Sequence, residues 1–280
     1  MRKKWRRFAG LSLLNLVFVA ICLATLVPIA YAVTLSFSGA GAALSSGFSF
    51  FPKNPTLENY RAILVDEPFL RWFMNSLGLA GCTMVLAIGC GVFAAYGFSR
   101  YKFRGRAAVL KLLLLLNAFP QILSLFALFR LLKTMGMLNQ WGGLVLIYAG
   151  GMCVFSIWNL KGYFDSIPVE IEEASKIDGA NDLQMIWKVI LPLARPAIIV
   201  TCVMVLISVW NEYLFAITFL VNRDTYSLAG GLYQMQTNDY SRNWPLFSAA
   251  SVLVSVPVLL IFFRIQKYMV SGLTAGGVKG

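Results

Sequence analysis

The sequence contains no histidine, and that absence removes most catalytic chemistry. Without imidazole there is no Ser-His-Asp nucleophile, no HExxH zinc site and little scope for haem ligation. The five cysteines, Cys22, Cys82, Cys90, Cys153 and Cys202, all fall inside apolar stretches with no CxxC spacing. They read as packing thiols with neither a disulfide nor a metal role. No GxxxxGK[ST] phosphate loop is present, so the chain is not itself an ATPase. What remains is hydrogen bonding by polar residues set in apolar runs, where they are expensive and so carry a functional expectation. Glu212, in Trp210-Asn211-Glu212-Tyr213, is the only acid within an apolar run, and Asn117 and Gln121 lie at i, i+4 beside Pro120. Polar groups with flanking aromatics can hydrogen-bond and stack against a polar solute, so these six residues are the candidate solute path. Interhelical hydrogen bonding, with Glu212 close to the outer headgroups, is the other reading of the same residues.

The elements that must position these groups are membrane helices. The chain has 280 residues, 59% of them hydrophobic and only 13% charged, with a mean hydropathy of +0.72. A soluble domain carries about 25% charged residues. A span needs about 20 apolar residues, and uncharged stretches recur at 11–35, 72–99, 112–129, 134–160, 196–211 (interrupted by Glu212 and resuming to 222) and 243–263. No alternating segments of about 10 residues suit a polar-lumen barrel. The expected fold is an all-α integral membrane bundle of six transmembrane helices. Residues 1–10 form a basic N-terminus, 11–268 the bundle, and 269–280 a tail. A cleaved signal peptide is the rival for the first stretch, since basic 2–7 precedes an apolar run ending in Ala30-Tyr31-Ala32. That run exceeds the usual 7–15 residues of a signal core, which favours an anchor.

Charge fixes the expected orientation. With a cytoplasmic N-terminus, seventeen of the 24 Lys and Arg fall on cytoplasmic segments and seven outside, as the positive-inside rule requires. Both termini are then cytoplasmic, and the net charge of +12 needs no nucleic-acid partner. The outer connections are 36–71, a short one at 135–140, and about 23 residues at 222–244. No internal repeat or inverted pair of halves is visible, which counts against a secondary carrier.

The cytoplasmic connection 161–195 does not belong to the bilayer. Ser166 can cap a helix with Pro168 in its first turn, and Glu170, Glu172 and Glu173 suit the helix dipole. Gly179 is placed to end that helix in a left-handed conformation. Asn181 followed by Gln184 offers a capping box, and Pro192 sits where the chain re-enters the membrane. The expected picture is two short helices on the cytoplasmic face. Six acids against four bases give this connection a charge of −2, whereas a helix lying on an anionic leaflet should be basic. An acidic helix with Ile167, Ile171 and Ala174 near one face suits a protein groove, and a solvated loop with ordinary caps is the bland alternative.

Glu173-Ala174-Ser175, three residues, Gly179, nine residues and then Val189-Ile190-Leu191-Pro192 resemble the EAA loop of the membrane subunits of binding-protein-dependent ABC importers. Ser175 replaces the second Ala of the family pattern and Val189 its Ile. The terminal Gly272-Leu273-Thr274-Ala275-Gly276-Gly277-Val278-Lys279-Gly280 is similar to the tail of the carbohydrate branch, closest to the G-type permease subunits of maltose and maltodextrin systems. The resemblance implies a coupling helix that docks on a cytoplasmic ATPase through Glu172, Glu173, Ala174, Ser175, Asp178, Gly179, Leu191 and Pro192. It also implies that Gly276, Gly277, Val278 and Lys279 reach the ATPase dimer.

By the same resemblance the partners are a second permease subunit, that ATPase dimer, which alone binds ATP and Mg, and an extracytoplasmic solute-binding protein met by the outer connection 222–244. This chain would hold no cofactor of its own. The solute is a maltodextrin-like sugar, with other oligosaccharides or polyols as alternatives. An ion-coupled carrier would show several paired intramembrane acids and bases, where only Glu212 is present.

Overall fold

The computed structural model describes residues 2–39, 51–52, 54–237 and 243–277, with side chains described for 11–39, 51–52, 54–236 and 243–266. Among the described residues the chain is helical with no strands. Its helices are α1 (Arg2–Ser36), α2 (Glu58–Val65), α3 (Phe69–Arg100), α4 (Arg106–Ala118), α5 (Leu125–Thr134), α6 (Trp141–Phe164), α7 (Val169–Ile177), α8 (Asp182–Leu193), α9 (Arg195–Asn211), α10 (Leu214–Phe219), α11 (Leu228–Thr237) and α12 (Trp244–Gly277). A π stretch, Ile186–Ile190, lies within α8. The chain forms two compact units, residues 1–69 with 232–255, and residues 70–231 with 256–280.

Among the described residues four helices are long and apolar enough to cross a bilayer unbroken: α1 over Leu11–Ser36, α3, α6, and α12 over Trp244–Gln266. The other two expected spans are bent pairs. Residues 112–129 do not form one helix. α4 and the following segment Gln121–Thr134 meet at 85°, because Pro120 cannot donate to the helical ladder and holds Phe119 extended at φ −71°, ψ 131°. The chain restarts as a 3-10 turn, Gln121–Ser124, before α5. α8 and α9 meet at 81° around Ala194. The interruption expected at Glu212 is present, with α9 ending there in extended conformation and α10 following.

In the first unit α1 is exposed from Leu11 to Ala30, with Leu13, Leu16 and Ile29 at 58–66%, as a lipid-facing span requires, and is buried only in its last turn at Leu35 and Ser36. The chain beyond α1 is pinned to α2. Asn59 Nδ2 donates to the carbonyls of Ser36 and Ser38 at 2.9 and 2.8 Å, and the Ser36 and Tyr60 hydroxyls pair. The expected tail from 269 is not separate from α12, whose backbone is helical to Gly277; Val278 and Lys279 lie outside the described residues.

In the second unit α3 buries one stripe at helical spacing, Trp72, Ser76, Leu79, Ala80, Thr83, Ala87, Ala95 and Tyr96, while Val85 and Phe93 stay exposed. Two apolar clusters result. One gathers Leu79, Leu144, Tyr148, Val205, Phe215 and Phe219 from α3, α6, α9 and α10. The other brings Tyr96, Leu160, Phe164, Ile167, Met185, Ile186 and Ile190 together, so the connection 161–195 is packed onto the ends of α3 and α6. The five cysteines are free; Cys22, Cys82 and Cys90 are exposed and not packed.

The short connection near 135–140 is also more than a link. Asn139 takes a positive φ of 59°. Its Oδ1 accepts from the Val221 and Asn222 amides and the Thr225 hydroxyl, while its own amide donates to Phe219. The connection 222–244, read as a loop, contains α11, whose Leu228 is fully buried.

Candidate functional site

The connection 161–195 is built by its local signals and then oriented by α3. Pro168, extended at φ −56°, ψ 133°, precedes α7. Ser166 does not cap that helix, because its hydroxyl donates instead to the Tyr163 carbonyl at 2.6 Å. Gly179 adopts φ +85°. The Ala180 amide reaches back to the Ser175 carbonyl and the Gly179 amide to Lys176, both at 3.0 Å, which is a Schellman closure that a side chain at this φ would strain. Asn181 and Gln184 then form both arms of a capping box, at 2.9 and 3.1 Å.

The two faces of this segment differ. Glu173, Ala174, Asp178 and Gly179 are exposed, Pro192 is exposed, and Ser175 and Leu191 are half-buried. Ser175 donates to the Ile171 carbonyl. Three large apolar residues join the exposed face, Ile177 at 87%, Leu183 at 60% and Trp187 at 60%. None was singled out from the sequence, although apolar residues flanking a helix-ending glycine were the available signal. Ile167, expected on that face, is buried.

Glu172 also departs from expectation. At 4% exposure it points inward, where it cannot offer its carboxylate to a partner. Arg100 Nε donates to its Oε1 at 2.5 Å and the Tyr96 hydroxyl to its Oε2 at 3.2 Å, while Arg100 Nη2 also reaches the Ile167 carbonyl at 3.1 Å.

Two neighbouring acids are held from the same end of α3. Ser99 donates to Asp165 at 2.7 Å, where Lys161 also pairs at 2.6 Å, and the Tyr101 hydroxyl donates to Asp182 at 2.7 Å. Partial burial would raise the Asp165 carboxyl, but the Lys161 and Ser99 hydrogen bonds outweigh it and hold the group below the usual carboxylate range. The Asp182 hydrogen bond pushes the Tyr101 phenol up. Half of the segment's acids, Asp165, Glu172 and Asp182, are therefore paired within the chain, although Asp165 and Asp182 remain exposed, as are Glu170, Glu173 and Asp178.

The candidate solute residues scatter. The 85° bend separates Asn117, exposed on α4, from Gln121 beyond Pro120, so they do not share a helix face. Trp210 is 3% exposed and meets Phe73 edge-on at 5.7 Å. Asn211 is exposed and its amide donates to the Ile207 carbonyl. Tyr213 is 43% exposed.

Glu212 accepts the Phe215 and Ala216 amides at the start of α10, at 2.9 and 3.3 Å, and the Tyr148 hydroxyl from α6. Glu212 and Gln121 share a cavity of about 490 Å³, whose polar lining also includes Ser124, Tyr148 and Ser208. Leu128, Met137, Ile147, Met152 and Phe215 make most of the rest apolar. The other four candidates do not line it. Tyr148 was not identifiable from sequence, because a tyrosine in an apolar run gives no sign of its partner 64 residues away. Among the described residues no group of three or more Cys, Asp or Glu could hold a metal ion.

Comparison with known proteins places this geometry. The family model described as "Binding-protein-dependent transport system inner membrane component" matches residues 87–274. The galactooligosaccharides transport system permease protein GanQ of Bacillus subtilis is 35% identical over 282 aligned residues, covering 99% of this chain and 98% of that protein. The maltose/maltodextrin transport system permease protein MalG of Vibrio parahaemolyticus is 37% identical, covering 83% of this chain and 84% of that one. Among solved structures, a bacterial ABC transporter involved in the import of the acidic polysaccharide alginate contains a chain 28% identical, with a TM-score of 0.78 over 92% of this chain and 95% of that one. The exposed, glycine-terminated helix between the fourth and fifth expected spans lies within the matched residues, and the chain belongs to the family of inner-membrane components of binding-protein-dependent transport systems.

Proposed function

We infer that this inner-membrane component carries an oligosaccharide inward, powered by a separate cytoplasmic ATPase dimer that binds the ATP and Mg. The solute reading rests on relatives named for galactooligosaccharides and for maltose and maltodextrin. A neutral or weakly charged glucose- or galactose-based oligomer is the common chemistry. A solute-binding protein delivers it on the outer side, and a second permease subunit completes the pathway. Both termini and the segment 161–195 face the cytoplasm, supported by the excess of basic residues on that side. An ion-coupled carrier is not supported, since membership of this family replaces it.

The observation that carries the docking reading is the exposed face of α7 and α8. Glu173, Ala174, Ile177 and Asp178 at the end of α7 and Leu183 and Trp187 on α8 are all exposed on one connecting segment. An apolar patch rimmed by acids in water is a protein-binding surface. Glu212 and Gln121 mark where a solute could meet this subunit, in the cavity they share with Tyr148.

The test is retention of the ATPase by the purified membrane subunits, together with hydrolysis stimulated by the loaded binding protein. Glu173→Lys reverses a charge at the contact, and Gly179→Val strains the φ +85° turn that sets the helix end. Both lie outside the spans, so both variants should insert normally and lose the ATPase. Full retention in both would end the docking reading.

A further inference from the structure

Residues 100–111, which join α3 to α4, carry five cations, Arg100, Lys102, Arg104, Arg106 and Lys111, and no acid. The connection 161–195, by contrast, has a charge of −2. Arg100 is bound to Glu172. Arg106 Nη1 donates to the Tyr101 carbonyl at 3.5 Å, and its charge helps to hold the Asp165 carboxyl low. Lys102, Arg104 and Lys111 are exposed, and among the described residues no carboxylate pairs with any of them.

The segment that presents these cations is a fixed turn. Tyr101 and Phe103 both fold back onto α3: the Tyr101 ring meets Tyr96 edge-on at 6.1 Å, and the Phe103 ring meets Phe98 at 5.7 Å. The Tyr101 amide donates to the Gly97 carbonyl and the Arg106 amide to that of Phe103, at 3.1 and 3.3 Å, and Gly105 closes the turn at φ +88°. Both rings stay nearly half exposed, Tyr101 at 47% and Phe103 at 46%. Aromatic and basic residues thus alternate through Tyr101-Lys102-Phe103-Arg104 on a backbone that is already ordered, which lowers the entropic cost of holding a ligand.

Helix length sets the depth of this turn. α3 carries no charge between Arg71 and Arg100, and that stretch of helix rises about 44 Å. A bilayer with its headgroups is about 40–45 Å thick, so both arginines fall at headgroup depth and the turn lies beside one of the two headgroup layers. α4 leaves the turn with Leu112, Leu115 and Leu116 53–70% exposed, and Leu115 is about 14 Å from Arg106 along the helix. An amphiphile with its anionic head on Lys102 and Arg104 and its chains along α4 matches both surfaces. A free phosphate matches only the first, and an acidic protein face leaves the leucines without an apolar partner.

We propose that the α3–α4 turn binds the phosphodiester headgroup of an anionic phospholipid, with Lys102 and Arg104 on the phosphate, Tyr101 and Phe103 at the boundary between headgroup and acyl chain, and the exposed leucines of α4 along the chains. This goes beyond the transport reading and takes from it only the cytoplasmic orientation, in which the turn meets the anionic inner leaflet. Aromatic rings and unpaired basic side chains at one depth are the two kinds of anchor that interfacial segments use. The two connections then divide the surface between them: the basic turn holds lipid, and the acidic segment 161–195 stays free for a protein.

The test uses the purified membrane subunits with their ATPase in a neutral detergent, titrated with dioctanoyl phosphatidylglycerol and separately with dioctanoyl phosphatidylcholine, bound lipids being resolved by native mass spectrometry. The parent should bind phosphatidylglycerol more tightly than phosphatidylcholine. Lys102→Gln combined with Arg104→Gln should weaken the tightest phosphatidylglycerol site roughly 30-fold, the share of two cations beside an anionic head, and leave phosphatidylcholine binding unchanged. Unchanged phosphatidylglycerol affinity in this variant overturns the proposal. So does displacement of the lipid by inorganic phosphate at equal concentration, which would make the turn a simple anion site.

The occupant is read without removing any cation. A photoreactive benzoylphenylalanine in place of Phe103, in the assembled complex in phosphatidylglycerol nanodiscs, should crosslink to lipid. Crosslinking to the ATPase or to the second permease subunit instead overturns lipid as the occupant. Binding in detergent does not depend on orientation, so its failure is distinguishable from a failure of the topology, which labelling at Arg104→Cys reads by itself.

Discussion

Glu212 can be tested as a strut against its role as a solute ligand, because its partners assign each oxygen a load. Oε1 accepts the Phe215 amide, and Oε2 accepts the Ala216 amide and the Tyr148 hydroxyl. Glu212→Ala removes a side-chain cap from α10, costing about 1 kcal/mol. It also orphans the hydroxyl of Tyr148, which is 7% exposed, costing about 1–3 kcal/mol more. The sum is about 2–4 kcal/mol. For a chain of this size each kcal/mol moves the melting midpoint by roughly 2 °C or more, so the variant should melt at least ~4 °C lower in nanodiscs. Tyr148→Phe removes only the hydrogen bond to the carboxylate and should cost about 1.5–3 kcal/mol. Glu212→Gln keeps the acceptor for the Phe215 amide and offers its own amide to the Tyr148 oxygen, losing only the longer 3.3 Å bond from Ala216, so it should cost about 1 kcal/mol, less than Glu212→Ala. Uptake by the Gln variant should show an unchanged KM for solute. Wild-type melting of Glu212→Ala would refute the strut. A Gln variant with intact melting and a raised KM would show the carboxylate to be a solute ligand.

Gly231→Ala should lower stability, measured by the same melting assay, because its Cβ would lie 2.3 Å from the Trp72 ring; Trp72→Leu in the same chain should recover part of the loss. Gly91→Ala should act likewise against Ser156, whose Cβ would be 2.7 Å away, with Ser156→Gly as the compensating change. Asp165 is held below its ordinary range, so its contribution is present above the unfolded value and is lost as pH falls through the folded one. Asp165→Asn should therefore flatten the acid limb of a pH–melting curve below about pH 4 while leaving neutral pH little changed. Cysteine labelling from intact cells should reach Arg223→Cys and spare Arg104→Cys, and the reverse pattern would invert the topology.

The parts of this molecule that could be read in the sequence are those whose cause is local. Gly179 ends α7 because the left-handed residue, its two back-reaching amides and the following Asn181–Gln184 box all lie within ten residues. Spans announced themselves because hydrocarbon tolerates little else, and Glu212 because an acid in such a run is conspicuous. What each polar residue does was hidden wherever the partner is remote. Glu172 and Glu173 are adjacent carboxylates on one helix, yet a turn of about 100° between neighbours puts one against Arg100 and the other in water. No pattern within α7 distinguishes them, since the cation that decides the matter lies 72 residues earlier.

Pro120 failed as a signal for a related reason. Proline is tolerated within membrane helices when neighbours re-satisfy the freed backbone. α12 continues unbroken past Pro257, so the residue alone does not say whether a helix breaks. At Pro120 the bend puts Gln121 against α6, where its Nε2 would lie 3.1 Å from a Cβ on Gly151. The glycine thus makes room for the amide beside the cavity that also holds Glu212. The two halves of the broken span have different surroundings: α4 is mostly exposed and touches α6, whereas Gln121–Thr134 lines the cavity and packs against α10. A single hydropathy window averages over both halves, which is why it shows one span and not the 85° bend within it.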